Sequence, residues 1–160
     1  MHSFIYQVNK TPIAKEDYLK ADGARDGDMA YIDYSDVISG EEREQAIKQL
    51  VANVLPKGMF SLNPDYNLTY NGGIEEWRKR YCEQLKAAVD RIKPEEVLSL
   101  TGVYKLRKTI MDPFNSSYLF VTDSYGGYGT AECSVDFMWL ISQMTKGDTL
   151  YIGGVCDYHI

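Results

Sequence analysis

The alternation of β-favouring residues from Ser3 to Val8 predicts a strand, and Asn9-Lys10-Thr11-Pro12 predicts its end. A short helix is expected over residues 14–21, an acidic loop over 22–28, and a second strand over Met29-Ala30-Tyr31-Ile32-Asp33-Tyr34. Ser39-Gly40-Glu41-Glu42 has the spacing of a capping box, in which the hydroxyl takes a free amide at the helix start and the carboxylate reaches back. The helix it opens should run to Leu55, with Ile47, Leu50, Val51, Val54 and Leu55 on one side and Pro56-Lys57-Gly58 as the stop. Residues 59–62 and 68–70 can pair as a hairpin across Asn63-Pro64-Asp65-Tyr66-Asn67.

The most regular pattern follows Asn71-Gly72-Gly73. Ile74, Trp77, Tyr81, Leu85, Ala88 or Val89, and Ile92 recur every three or four residues and predict a helix over 74–92. Glu75 and Glu76 suit its positive end, and Arg91 and Lys93 its negative end. Shorter helices are expected at 95–100 and 104–111, and a buried strand at 118–122. After the loop Ser124-Tyr125-Gly126-Gly127-Tyr128-Gly129, a helix over 130–144 reads as apolar nearly all round and therefore central. A strand resumes at Leu150-Tyr151-Ile152, with Gly153-Gly154 as a candidate bulge. Together these elements predict a single α+β domain, with a mixed or antiparallel sheet packed by three main helices at 41–55, 74–92 and 130–144.

Composition agrees with that class. The chain has 160 residues, 44% hydrophobic and 25% charged, enough to bury a core without disulfides or a structural metal. No apolar run is long enough to span a membrane, and the opening Met1-His2-Ser3-Phe4 lacks the basic and apolar regions of a signal peptide. A cytoplasmic location is expected, with Cys82, Cys133 and Cys156 as reduced thiols packed like small hydrophobes.

Charge changes the picture more. The net charge is −6, and residues 15–44 alone hold ten acids against four bases. Residues 78–108 hold nine bases against four acids. Such a dipolar chain suggests an acidic surface directed at a basic protein partner, because fields of one sign select complementary surfaces. The candidate contacts are Asp22, Asp26, Asp28, Asp33 and Asp36, joined by Tyr125 and Tyr128. Thirteen of the twenty aromatic residues are Tyr, and those in polar loops, Tyr66 and Tyr70 included, suit protein contact because a Tyr ring gives large area for little entropy lost. Arg78, Lys79, Arg80, Lys105, Arg107 and Lys108 could in principle meet nucleic acid, but a pI of about 4.9 argues against direct binding.

Catalytic and metal chemistry find less support. Asp22 to Asp33 matches an EF-hand loop at several positions but has Ala24 and Ala30 where ligands belong, so no metal and no cofactor are expected. Gly127-Tyr128-Gly129 begins a dinucleotide fingerprint whose third glycine falls on Glu132. Cys133, in the first turn of the last helix, with His159 downstream, is the one candidate nucleophile and base. The run Tyr128-Gly-Thr-Ala-Glu-Cys133-Ser134-Val-Asp-Phe137 resembles the start of the catalytic helix in bacterial cell-wall cysteine peptidases, which implies thiol hydrolysis. The opening Phe4-Ile5-Tyr6-Gln7-Val8-Asn9-Lys10-Thr11-Pro12-Ile13 with Asp17-Tyr18-Leu19 resembles uncharacterised proteins of phage and integrative elements of gut bacteria. That resemblance implies a mobile-element accessory protein. The expected function is therefore a non-catalytic protein-binding module, for example an inhibitor of a nucleic-acid-binding host protein. The alternative is a small thiol-dependent hydrolase using Cys133 and His159.

Overall fold

A computed structural model describes residues 3–25, 32–114, 116–122 and 130–159. Its centre is a long strand with an unpromising sequence. Residues Thr149–His159 (β6) carry two glycines, a cysteine and an aspartate, yet β6 pairs with three other strands. Ser3–Asn9 (β1) runs antiparallel along one side of it, and Tyr34–Ile38 (β2) pairs with residues 155–159 on the other. Phe60–Leu62 (β3) and Leu68–Tyr70 (β4) form the expected hairpin, with β4 joined to Leu150 and Thr149. Leu119–Val121 (β5) lies parallel to β1, so the six-stranded sheet is mixed and the α+β class holds.

Gly153 and Gly154 do form a bulge. Tyr6 pairs with Val155 and Val8 with Ile152, so two β6 residues oppose Gln7 alone. Gln7 accounts for the local chemistry: its amide donates to the Asp17 carbonyl at 2.9 Å, and its oxygen accepts from Leu19 N at 2.8 Å and Gly154 N at 2.9 Å. The chain at 17–19 is thereby strapped across the sheet. A Cβ on Gly154 would lie 2.6 Å from Leu19 N and 2.7 Å from Leu19 O, so glycine is required there for close approach. The strap explains why the helix expected over 14–21 is only a 3₁₀ turn at Lys15–Asp17, with Tyr18 already extended. Tertiary hydrogen bonds override local propensity.

Other expectations change as well. The second strand lies at 34–38, not 29–34, because residues 34–38 find a register along one edge of β6, with Asp36 and Val37 exposed and Ser35 buried; residues 29–31 lie outside the described residues. Gly40–Gln49 (α1) starts after Ser39, but no side-chain bond caps it; Gly40 enters with φ of 54°, which takes the hydroxyl out of line with the first amides. A π-helical turn at Leu50–Val54 then replaces the last α-turns before Pro56.

Ile74–Asp90 (α2) and Leu100–Met111 (α3) form a helical hairpin, and residues 95–99 are a turn rather than the helix expected there. Ser99 caps α3 by accepting from Gly102 N at 3.1 Å. Thr130–Ser142 (α4) lies against β5 and is two-faced rather than central: Phe137, Met138, Leu140 and Ile141 are buried, while Val135 and Trp139 are exposed.

The sheet divides the core in two. On one face Tyr6, Val8, Phe120 and Val155 meet Ile47 and Leu50 of the α1 segment and Phe137 and Ile141 of α4. On the other, Ile5, Leu119, Cys156 and Tyr158 are covered by Ala24 and Ile32, with Leu19 against them. Alternation along β1 makes this division, since neighbouring side chains point to opposite faces.

Candidate functional site

The cleft of interest opens where the edge strand β2 meets the first turn of α1. It encloses about 740 Å³ and is lined by Phe4, Ile38 and Ala46 as apolar floor, with Glu41, Glu42, Glu44 and Asp157 around it. Strand register adds Asp36. Asp36 stands directly opposite Asp157 across β2 and β6, and by alternation it shares the face of Ile38. Its Oδ1 accepts from Val37 N at 2.8 Å, which holds the carboxylate at the strand edge. Glu41 and Glu42 are placed by helix chemistry, since acids in a first turn are favoured by the helix dipole.

Among the described residues the lining contains no lysine or arginine. The one base in this part of α1 is turned away. Arg43 donates from its Nη2 to the Ile152 carbonyl at 2.7 Å and to the Gly153 carbonyl at 2.9 Å, and its guanidinium lies 5.6 Å from the centre of the Tyr18 ring. Burial lowers its pKa, but it stays the cation that ties α1 to the bulge. Glu44 is committed from below: the Tyr66 hydroxyl bonds to it, which raises the pKa of Tyr66.

The candidate contacts of residues 15–44 are not brought to one surface. Asp22 is exposed and pairs with Arg25 at 3.0 Å, in a turn whose Ala24 covers the opposite face of the sheet. Ser35, pointing away from Asp36, donates to the Ala21 carbonyl at 2.7 Å and fixes that turn on the far face. Asp33 is exposed beside β2. Asp26, Asp28, Tyr125 and Tyr128 lie outside the described residues. Asp157 was missed because only its pairing with Asp36, 121 positions away, makes it part of the site; its signal is an acid in an otherwise apolar strand. Of the loop tyrosines, Tyr70 is core and Tyr66 packs on α1, with the Lys48 ammonium 5.5 Å from its ring centre.

Cys133 falls in the first turn of α4 as expected, but its side chain lies outside the described residues. His159 ends β6 and stacks on Tyr34, ring centres 5.1 Å apart, two cross-strand pairs beyond Asp36 and Asp157 and so the next pair on the same face. Of the other thiols, Cys82 is exposed, against expectation, because it sits on the outer side of α2. Cys156 is buried, and burial, then the Asp36 charge, pushes its pKa up to about 11.

Among the described residues no helix is long and apolar enough to cross a membrane. No protein-family model, curated protein or solved structure matches the chain.

Proposed function

We propose that the protein is a binding module whose acidic cleft receives basic side chains of a protein partner. The carrying observation is the direct cross-strand pairing of Asp36 with Asp157, beside Glu41 and Glu42 and over an apolar floor. Like charges placed directly opposite on a sheet destabilise it, by a few tenths to about 1 kcal/mol. A partner guanidinium between the two carboxylates would replace that repulsion with charge-assisted hydrogen bonds. Its aliphatic stem would lie on Phe4 and Ile38. Proteins that hold nucleic acid present such basic surfaces, so an inhibitor or mobile-element accessory factor is the role this chemistry fits.

The test uses a fluorescein-labelled oligo-arginine peptide and two variants of equal charge change. One carries Asp36→Asn, Asp157→Asn, Glu41→Gln and Glu42→Gln; the other neutralises Glu75, Glu83, Glu95 and Glu96 on the hairpin. Affinity should fall about tenfold or more in the cleft variant and little in the other. Equal losses would mean that the peptide reads net charge, and the cleft reading would fail.

A further inference from the structure

At the other end of α1 the charge is reversed. Two clefts, about 200 and 440 Å³, share Gln84, Pro113 and Phe114 and so form one continuous groove beside the helical hairpin. Lys57 and Arg80 line its first part, Arg91 and Lys108 its second. The single acid in its wall among the described residues, Asp112, accepts from Ser116 N at 3.2 Å. Trp77, Tyr81 and Phe114 give the first part an aromatic wall, in which Trp77 and Tyr81 stack with ring centres 5.0 Å apart.

We propose that this groove binds single-stranded nucleic acid. Bases along a groove can follow a phosphate chain, and aromatic walls offer the nucleobases apolar contact whatever their sequence. Clefts of about 200 and 440 Å³ suit a flexible strand better than a rigid duplex. Arg80 on α2 and Arg91 at its C-terminal cap are eleven residues apart, about 16 Å along the helix axis, a span of several nucleotides.

The net charge of −6 describes the whole chain and not this surface. Along the helix, Glu41 and Glu42 of the acidic cleft lie about 18 to 20 Å from Val54 in the groove wall, against a Debye length of about 8 Å at physiological salt. Each end therefore acts through its own field. The groove goes beyond the acidic-cleft reading, and either can fail alone.

The experiment is fluorescence anisotropy with a labelled oligothymidylate of about 12 nucleotides, within the range that single-strand sites occupy. Four phosphate contacts predict that the logarithm of affinity falls with the logarithm of salt at a slope near −3, about 0.7 per contact. Arg80→Gln with Arg91→Gln should lower affinity about tenfold at low salt and reduce the slope by about 1.4. The cleft variant described above should bind the oligonucleotide as well as the parent does. Neither the matching duplex nor polyglutamate should displace it at equal concentration. Absence of binding at low salt, a double variant indistinguishable from the parent, or displacement by polyglutamate would each overturn the proposal.

Discussion

The strand β6 and the helix α2 make opposite demands on their sequences. Helix α2 has the most regular apolar stripe in the chain, yet none of its 17 residues is buried. Strand β6 shows no clear period, yet seven of its 11 residues are buried. The difference lies in what each element packs against. β6 has a strand along each edge and a core on each face, so both sides of its pleat become interior. Among the described residues α2 packs chiefly on α3 and reaches the main core through Ile74 and Trp77. Periodicity shows which face of an element is apolar, but burial depends on what that face meets.

The largest test of this contrast removes a core ring. Phe120 stacks on Phe137 with centres 4.1 Å apart and is 2% exposed, so Phe120→Ala should cost about 3 to 5 kcal/mol in urea unfolding. Leu98→Ser in the hairpin turn should stay within about 0.5 kcal/mol, because Leu98 is 95% exposed. Similar losses at both positions would break the distinction. Gly154→Ala comes next, at roughly 1 to 3 kcal/mol, since the added carbon meets the Leu19 backbone and not a movable side-chain tip.

Smaller effects sharpen the same comparison. Tyr6→Phe removes the hydroxyl that donates to the Ala46 carbonyl at 2.9 Å, a carbonyl that still accepts from Leu50 N, and should cost about 1 kcal/mol. On the hairpin, Tyr81 donates to the Ile110 carbonyl in a half-exposed setting, and Tyr81→Phe should cost less because water can replace the hydroxyl. Thiol titration divides the regions without mutation: mapped by peptide, Cys82 should label in the native state and Cys156 only on unfolding. The raised pKa of Cys156 also fixes a sign. The folded state keeps the proton longer than the unfolded state, so stability is intact below the ordinary thiol value near 9 and declines as pH rises toward about 11. The alkaline decline should be shallower in Cys156→Ala. Smallest of all, Asp36→Asn should raise stability by a few tenths of a kcal/mol, because asparagine can still accept from Val37 N while the charge facing Asp157 is gone.

The sequence made the local elements legible. The β3–β4 hairpin, α2, and the bulge at Gly153-Gly154 all follow from turn residues or spacing. It concealed what distant partners decide. The strap at 17–19 is extended because Gln7 and Gly154 hold it there, and β2 is a strand because β6 offers it a register. The acidic segment was legible as charge, but not its division between the sheet's two faces, with Asp22 on one and Asp36 on the other. Asp157 entered the site by register alone.

The place of β6 in chain order bears on biosynthesis. Strands β1, β2 and β4 are translated before it, and all three must wait for residues 149–159 before the sheet can close. Until the ribosome releases that stretch, β1 has apolar side chains and an open edge, with only the three-residue β5 to pair against. Such non-local closure is slow and exposes nascent chains to aggregation. The cell that makes this protein therefore has reason to shield its first strand, and a nonsense codon anywhere before residue 149 would yield a chain with no central strand rather than a shortened fold.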